Sequence, residues 1–403
     1  MKKLALVSLG LPPSQSGQSI VLYHLLKEIP PENYCLITLR NFHLYRYLKS
    51  SSTKLSGRYY FLHPDYQIVR LLVKTASLLS IRPLLCLATK IRVRQIKKIL
   101  VEERVQVVIA CTGDLFDPPA AFMASRELGI PFILYAFDYY SRQWTGSVTR
   151  SFAEKLEREI LQGAIHVIVP NECMAKEYAE RYCIRPTIIH NPFDLMEYER
   201  NAAAQQGKKT SDEVSIVYTG SVYDAHYTAF QNLIAAIPKT GIPDLILHIY
   251  TPQSLAQLVA HGMTGPVKIH RPQPNNEMPG IQRSADILFL PLAFRSTYPK
   301  IIKTSAPGKI GEYLAAKKPV LVHAPKDSFI AWYFRKYGCG EVVFEDNVEK
   351  LADAIVRLLQ DKRQTQELVA NAYERAKSDF DLENASKKFL AAIDELQTEN
   401  RAG

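Results

Sequence analysis

"KLALVSLGLPPSQSGQSIVLYHLLKEI" (residues 3–29), followed by "YCLITLR" (34–40), decides the architecture of the chain. Its first eight residues are a continuous apolar run, the pattern of a strand buried on both faces. A Gly/Pro/Ser loop (10–19) comes next, then helical spacing over 20–29, then a second apolar strand. Strand, loop, helix and strand in this order predict a parallel, doubly wound sheet. The basic start "MKK" precedes an apolar run that soon ends in Gly-Leu-Pro-Pro, so it reads as this first strand and not as a signal peptide.

The rhythm continues with "VQVVIACTG" (105–113), "PFILYAFD" (131–138), "HVIVPN" (166–171) and "PTIIHNPFD" (186–194), with helices such as 151–164 between them. A polar stretch at 195–213 carries no strand signal and reads as a linker. The pattern then restarts with "VSIVYTGSV" (214–222), a helix at 228–239, and strands at 245–252, 267–272, 285–292, 319–325 and 340–344. The expected fold is therefore α/β, with two Rossmann-like doubly wound domains at 1–194 and 214–380. A C-terminal helix within 381–403, capped by Asn384 or Ser386, is placed to pack back on the N-terminal domain.

A chain of 403 residues, 47% hydrophobic and 22% charged, has room for two such domains. Its net charge of +10 is uneven: residues 1–200 hold 26 Lys and Arg against 18 Asp and Glu. Within 40–104 there are 14 basic residues, and only Asp65, Glu102 and Glu103 are acidic. Such a face implies an anionic partner. Over 66–104 the cations Arg70, Lys74, Arg82, Lys90, Arg92, Arg94, Lys97 and Lys98 interrupt apolar segments. That composition suits a helix pair on an anionic bilayer, or a core-packed pair with a solvated basic face; nucleic acid is disfavoured, since no known module accompanies the charge. The six cysteines show no metal-ligand spacing and point to a reducing compartment, and no apolar stretch is long enough to span a bilayer. Cytoplasmic location is expected, with peripheral contact to the inner face of the membrane.

Ligands of doubly wound sheets bind at the carboxyl ends of strands, where a helix N-terminus offers free N–H groups. Three loops have that placement: Gly10–Ser19, Thr219–Ala225 and Thr304–Gly311. None carries a dinucleotide or P-loop pattern. The third opens "TSAPGKIGEYLAAKKPVLV" (304–322). Pro307-Gly308 turns the backbone, Gly308 leaves room for a phosphate, and Lys309 adds a point charge. The Glu312 carboxylate, just inside the helix, can accept two hydroxyls of a ribose. Together they read as a nucleoside-diphosphate clamp, or else as a dipole-favoured Glu beside a solvated Lys.

The motifs "APGKIGEYLAAKKPVLV", "PFILYAFD", "VIVPN…IIHNPFD" and "IVYTGSVYD…FQNLIAAI" resemble those of the nucleotide-sugar-dependent glycosyltransferases of family 4, over nearly the whole chain. The resemblance implies the two-domain GT-B fold facing a cleft. It implies transfer of a sugar from a nucleotide sugar to a glycan, lipid-linked or other acceptor, with retention and without metal or other cofactor, in cell-surface polysaccharide or glycolipid synthesis. The donor falls to the C-terminal domain and the acceptor to the N-terminal one. Carried onto matching positions, Gly220, Ser221, Pro307, Gly308, Lys309 and Glu312 bind the donor, and Lys303 joins them as a donor-binding candidate outside the matched motif. Ser16, Gly17 and Gln18 form the loop at the reacting centre, and the departing phosphate takes the acceptor proton. The catalytic candidates are Lys309, stabilising the leaving diphosphate, and Asp138, which positions the acceptor hydroxyl or merely caps a strand end.

The chain departs from the family at three places. Thr304 stands where many members carry a second Glu; no Lys or Arg follows Gly220, leaving Lys300, Lys303 or Arg295 to supply that charge; and Phe137-Asp138 replaces His-Asp. A nucleotide-sugar epimerase on the same fold and a non-catalytic binding subunit are the rival readings. His190 and His24 read as structural.

Overall fold

The computed structural model describes residues 1–14, 16–40, 54–78, 82–205 and 213–394. The chain forms two compact units, Met1–His190 with Ala385–Gly403, and Asn191–Asn384. Parts of the expected linker (206–212), basic segment (41–53 and 79–81) and terminal helix (395–403) lie outside the described residues.

In the first unit the strands are β1 (Leu4–Val7), β2 (Tyr34–Thr38), β3 (Arg58–Phe61), β4 (Val107–Cys111), β5 (Phe132–Tyr135), β6 (His166–Val169) and β7 (Thr187–Ile188). They form one parallel sheet in the order β3-β2-β1-β4-β5-β6-β7. Every residue of β1, β2, β4 and β5 is buried, which is why these strands read as unbroken apolar runs. β3 escapes sequence detection: it is the short edge strand Arg-Tyr-Tyr-Phe, and none of its residues is buried.

The second unit holds β8 (Val214–Thr219), β9 (Leu245–Tyr250), β10 (Val267–His270), β11 (Ile287–Pro291), β12 (Val320–His323) and β13 (Glu341–Val343). Their order is β10-β9-β8-β11-β12-β13, again all parallel. Ile216, Tyr218, Leu247, Ile249 and Phe289 pack from the sheet onto Phe230, Leu233, Leu351 and Ile355 of the helices Tyr227–Ala236 and Val348–Gln360. In both sheets the strand order reverses beside the first strand, between β1 and β4 and between β8 and β11. That reversal opens a crevice at the carboxyl ends. Two doubly wound parallel sheets thus agree with the expected fold class.

Three expectations need correction. Residues 195–204 of the expected linker are the helix Leu195–Ala204, capped by Asp194, whose carboxylate accepts from Glu197 N at 2.9 Å. Tyr198 and Ala202, four residues apart, bury one face of it within the second unit. Secondly, the terminal helix begins at Leu382. Asn384 therefore lies inside it and bonds back to the Lys377 and Ser378 carbonyls. From Ala385 onward this helix belongs to the first unit, where Phe389 is buried with its ring 6.4 Å from that of Tyr135.

Thirdly, the basic segment forms the helices Tyr66–Leu78 and Arg82–Glu102, but its cations do not all face water. Arg92 is only 2% exposed, donates to the Pro64 carbonyl at 2.9 Å and lies 3.9 Å from buried Asp117. It shares the inward face of its helix with Leu85, Val93, Ile96 and Leu100. Lys97 pairs with Glu127 at 2.7 Å. Arg70, Lys74, Lys90, Arg94 and Lys98 are exposed, as are Ile68, Leu71 and Leu87. Among the described residues no helix is long and apolar enough to cross a membrane.

Candidate functional site

The mouth of the second sheet is built around Gly220, which follows β8 with φ +122°. Only glycine adopts that conformation without strain. A Cβ there would also stand 2.8 Å from the Lys309 ammonium. Lys309 immediately precedes the short helix Ile310–Ala315, and its Nζ sits 3.6 Å from the centroid of the Tyr218 ring. The Tyr218 hydroxyl in turn donates to the Ser221 carbonyl at 2.6 Å. Gly220, Ser221 and Lys309, far apart in sequence, therefore meet at one strand end.

The ammonium has a π face for a neighbour, and among the described residues no carboxylate lies within ion-pair distance of it. Lys309 as a residue is half-buried, but its charged end is the enclosed part. Desolvation pushes its pKa down to about 7, against the opposing pull of the Glu312 charge. Tyr223 and buried His226 stand in the same loop, and burial with Lys309 nearby holds the imidazole down at about 3, so His226 is neutral.

Glu312 falls in the first turn of the helix Ile310–Ala315. Its Oε2 accepts from the Gln282 amide at 2.9 Å, and no hydrogen bond reaches Oε1 among the described residues. Burial dominates and raises its pKa; the Gln282 bond and the Lys309 charge oppose the rise. Gln282 is fully buried; its carbonyl accepts from the Tyr198 hydroxyl at 2.7 Å. The next residue, Tyr313, receives the Thr219 backbone N–H at 2.9 Å and so ties the helix to the end of β8. Pro307 and Gly308 form the preceding turn, closed by Ile310 N to Pro307 O at 3.1 Å. Open space lies where a Gly308 Cβ would be.

Lys303 occupies the last turn of the helix Pro299–Thr304, and buried Thr304 donates to the Lys300 carbonyl at 3.1 Å. Arg295 is 77% exposed and 3.8 Å from Asp346.

At the mouth of the first sheet, Ser16 caps the helix Gly17–Leu26 by accepting from Ser19 N at 3.2 Å. Gln18 folds back to donate to Ser8 Oγ at 2.8 Å, and Gly10 N donates to the same oxygen at 3.1 Å. Gly17 has open space beside it. Asp138, after β5, is exposed as a residue, yet desolvation of its carboxyl raises the pKa; its backbone N–H donates to Thr112 Oγ1 at 3.1 Å. His190 is buried, 3.2 Å from Glu172. Among the described residues no three His, Cys, Asp or Glu converge to hold a metal ion.

Sequence reasoning missed Gln282, Tyr198 and Tyr313. Gln282 and Tyr198 lie in no motif, while Tyr313 stands inside the stretch 304–322 beside Glu312, where the sequence alone assigns it no role. The one local signal is the Asp194-x-x-Glu197 pair, a capping pattern that announces the helix carrying Tyr198.

Two parallel-sheet units with ligand mouths at their strand reversals define the GT-B class of fold. Residues 58–197 match the family described as Glycosyltransferase Family 4, and residues 213–361 match Glycosyl transferases group 1. The chain belongs to the group 1 glycosyltransferases.

Solved structures match over the full length. Anabaena HepE in complex with UDP aligns at TM-score 0.68 and 15% identity, covering 98% of this chain and 100% of that one. Sucrose-phosphate synthase from Thermosynechococcus elongatus aligns at TM-score 0.67 and 15% identity, covering 99% and 100%. A Listeria monocytogenes protein described as a UDP-N-acetylglucosamine 2-epimerase aligns at TM-score 0.60 and 15% identity, covering 99% and 98%. At these identities the likeness establishes the fold. No curated protein sequence matches the chain.

Proposed function

We propose that this glycosyltransferase moves a sugar from a nucleotide-sugar donor to a glycan or lipid-linked acceptor, with retention and without a metal. One observation carries the reading: among the described residues, an ammonium with no carboxylate at ion-pair distance stands at the Gly220 turn, three residues before a carboxylate with one oxygen open. In this reading the diphosphate supplies the missing charge at Lys309, with Ser221, Lys303, Pro307 and Gly308 around it. The ribose hydroxyls donate to Glu312. Lys309 then stabilises the negative charge that grows on the leaving group. Complexes of HepE with UDP, with UDP and glucose, and with UDP-glucose support a nucleotide sugar as donor. Acceptor binding falls to the first unit, with Asp138 orienting the acceptor hydroxyl beside Ser16, Gly17 and Gln18.

A thermal-shift screen against UDP-, GDP-, ADP- and dTDP-sugars tests the donor half. A donor at 100 times its dissociation constant should add about 2.7 kcal/mol of stability. Donor incubated without acceptor separates the rivals: slow release of free sugar marks a transferase, an isomerised sugar an epimerase, and no turnover a binding subunit.

The exposed face of the helices Tyr66–Leu78 and Arg82–Glu102 supports a lipid-linked acceptor. Ile68, Leu71 and Leu87 are 53%, 64% and 55% exposed among Arg70, Lys74, Lys90, Arg94 and Lys98. An anionic bilayer complements both features, each cation contributing about 1 kcal/mol near the surface. Co-sedimentation with phosphatidylserine vesicles should weaken with salt and with Lys90, Arg94 and Lys98 changed to Gln. Failure of the unaltered chain to sediment at low salt would refute membrane contact.

A further inference from the structure

Gln282 lies at the centre of a hydrogen-bonded chain that the donor reading leaves without a purpose. Its carbonyl faces the Tyr198 hydroxyl at 2.7 Å, while its amino group faces Glu312 Oε2 at 2.9 Å and Thr219 Oγ1 at 3.4 Å. We infer that Gln282, oriented by Tyr198, is the positioning residue that presents Glu312 as an ionised carboxylate with Oε1 open to a vicinal diol. The inference rests on Glu312 being the ribose ligand proposed above.

The direction of the chain follows from donor and acceptor chemistry. Burial keeps the proton on the Tyr198 phenol, so its hydroxyl has one proton to give. An ionised carboxylate only accepts. The Gln282 amide therefore turns its carbonyl to Tyr198 and its amino group to Glu312, and every partner is matched. Were Glu312 neutral, it would donate one proton and lose the capacity to accept from two hydroxyls at once. The amide opposes this: it donates to the charged form and fixes which oxygen is occupied.

The support is itself braced. Tyr198 is on the helix Leu195–Ala204 and Gln282 on the helix Met278–Ser284. Between these helices Arg283 pairs with Glu199 at 2.6 Å, and its guanidinium lies 5.6 Å from the centroid of the Tyr198 ring. Lys317 also reaches Glu199, at 3.3 Å. The titratable groups facing Glu312 are Lys309 from the preceding turn, Tyr313 beside it and Tyr198 across Gln282; Arg283 and Glu199 lie beyond Tyr198.

Calorimetry decides the matter, with UDP, GDP and ADP each compared with its 2′,3′-dideoxy form. The unaltered protein should prefer the ribose form of the nucleotide it binds best. Gln282→Leu should reduce that preference about ten-fold, the worth of one hydrogen bond to a charged group, without changing affinity for the dideoxy form. Because the Gln282 bond lowers the Glu312 pKa, its loss should also move the acid-side weakening of nucleotide binding to higher pH. Tyr198→Phe, which removes only a hydroxyl, should shift both readouts the same way by less, and it decides the case if Gln282→Leu fails to fold. Unaltered ribose preference and pH profile in these variants would overturn the inference while leaving Glu312 as the ribose ligand. If the unaltered protein binds ribose and dideoxy forms equally, or binds none of the three, the ribose reading fails and this inference with it.

Discussion

The mouths of the two sheets share a topology and differ in lining. At the first, Gln18, Ser8 and Gly10 bond to one another, so hydroxyl, amide and backbone satisfy their own needs. At the second, among the described residues, an ammonium rests on the Tyr218 ring with no carboxylate at ion-pair distance, and a carboxylate keeps one oxygen unbonded. A doubly wound sheet supplies only the crevice. The chemistry left unsatisfied there decides what enters, and an unsatisfied cation beside an unsatisfied acceptor suits a nucleoside diphosphate better than a neutral self-bonded loop does.

The largest effect expected from this contrast is at Lys309. If its charge serves mainly the leaving group, Lys309→Ala should lower kcat by about 10²–10³ with a smaller rise in donor KM. A change in KM alone would make it a ground-state anchor. pH sharpens the same point. The free ammonium titrates near 7, and a bound diphosphate raises that value. Nucleotide affinity should therefore fall as pH rises above about 7, with proton uptake on binding, read by calorimetry in buffers of different ionisation heat. Lys309→Ala should abolish the uptake.

Glu312→Ala comes next, weakening nucleoside-diphosphate binding by about 1.5–3 kcal/mol, with Glu312→Gln losing less. Unchanged affinity would remove Glu312 from the site.

The smallest effects compare the glycines of the two mouths directly. Gly220→Ala forces an L residue to φ +122° and pushes a methyl at Lys309; about 1–3 kcal/mol of stability should be lost. Gly10→Ala would bring its methyl only to 3.2 Å from the flexible Gln18 end, so its melting temperature should drop by less. Equal losses would break the contrast between a glycine held at positive φ and one in ordinary backbone, each facing a side-chain end that can yield.

Legibility from sequence followed the range of the forces involved. Strands such as β4 and β5 were readable because burial on both faces leaves an unbroken apolar run. β3 was not, because an edge strand escapes that demand. Lys309 and Glu312 were readable because three residues of spacing at a helix start set their proximity. Gln282 was invisible: it is 30 residues from Glu312 and 84 from Tyr198 along the chain. The basic helix misled in one respect, since Arg92 and Arg94 are alike in sequence while one lies 2% exposed and the other faces solvent.

By itself, then, the sequence determined the doubly wound α/β class and set Lys309 and Glu312 close together at a helix start. Hydrophobic period, glycine and proline placement, and helix-start spacing all act over a few residues. Only the tertiary structure decided that Gly220 leaves room for the Lys309 ammonium, that Gln282 and Tyr198 stand behind Glu312, and that Arg92 turns inward to Asp117. Those pairings join distant segments by close packing and matched hydrogen bonds, which no local pattern encodes.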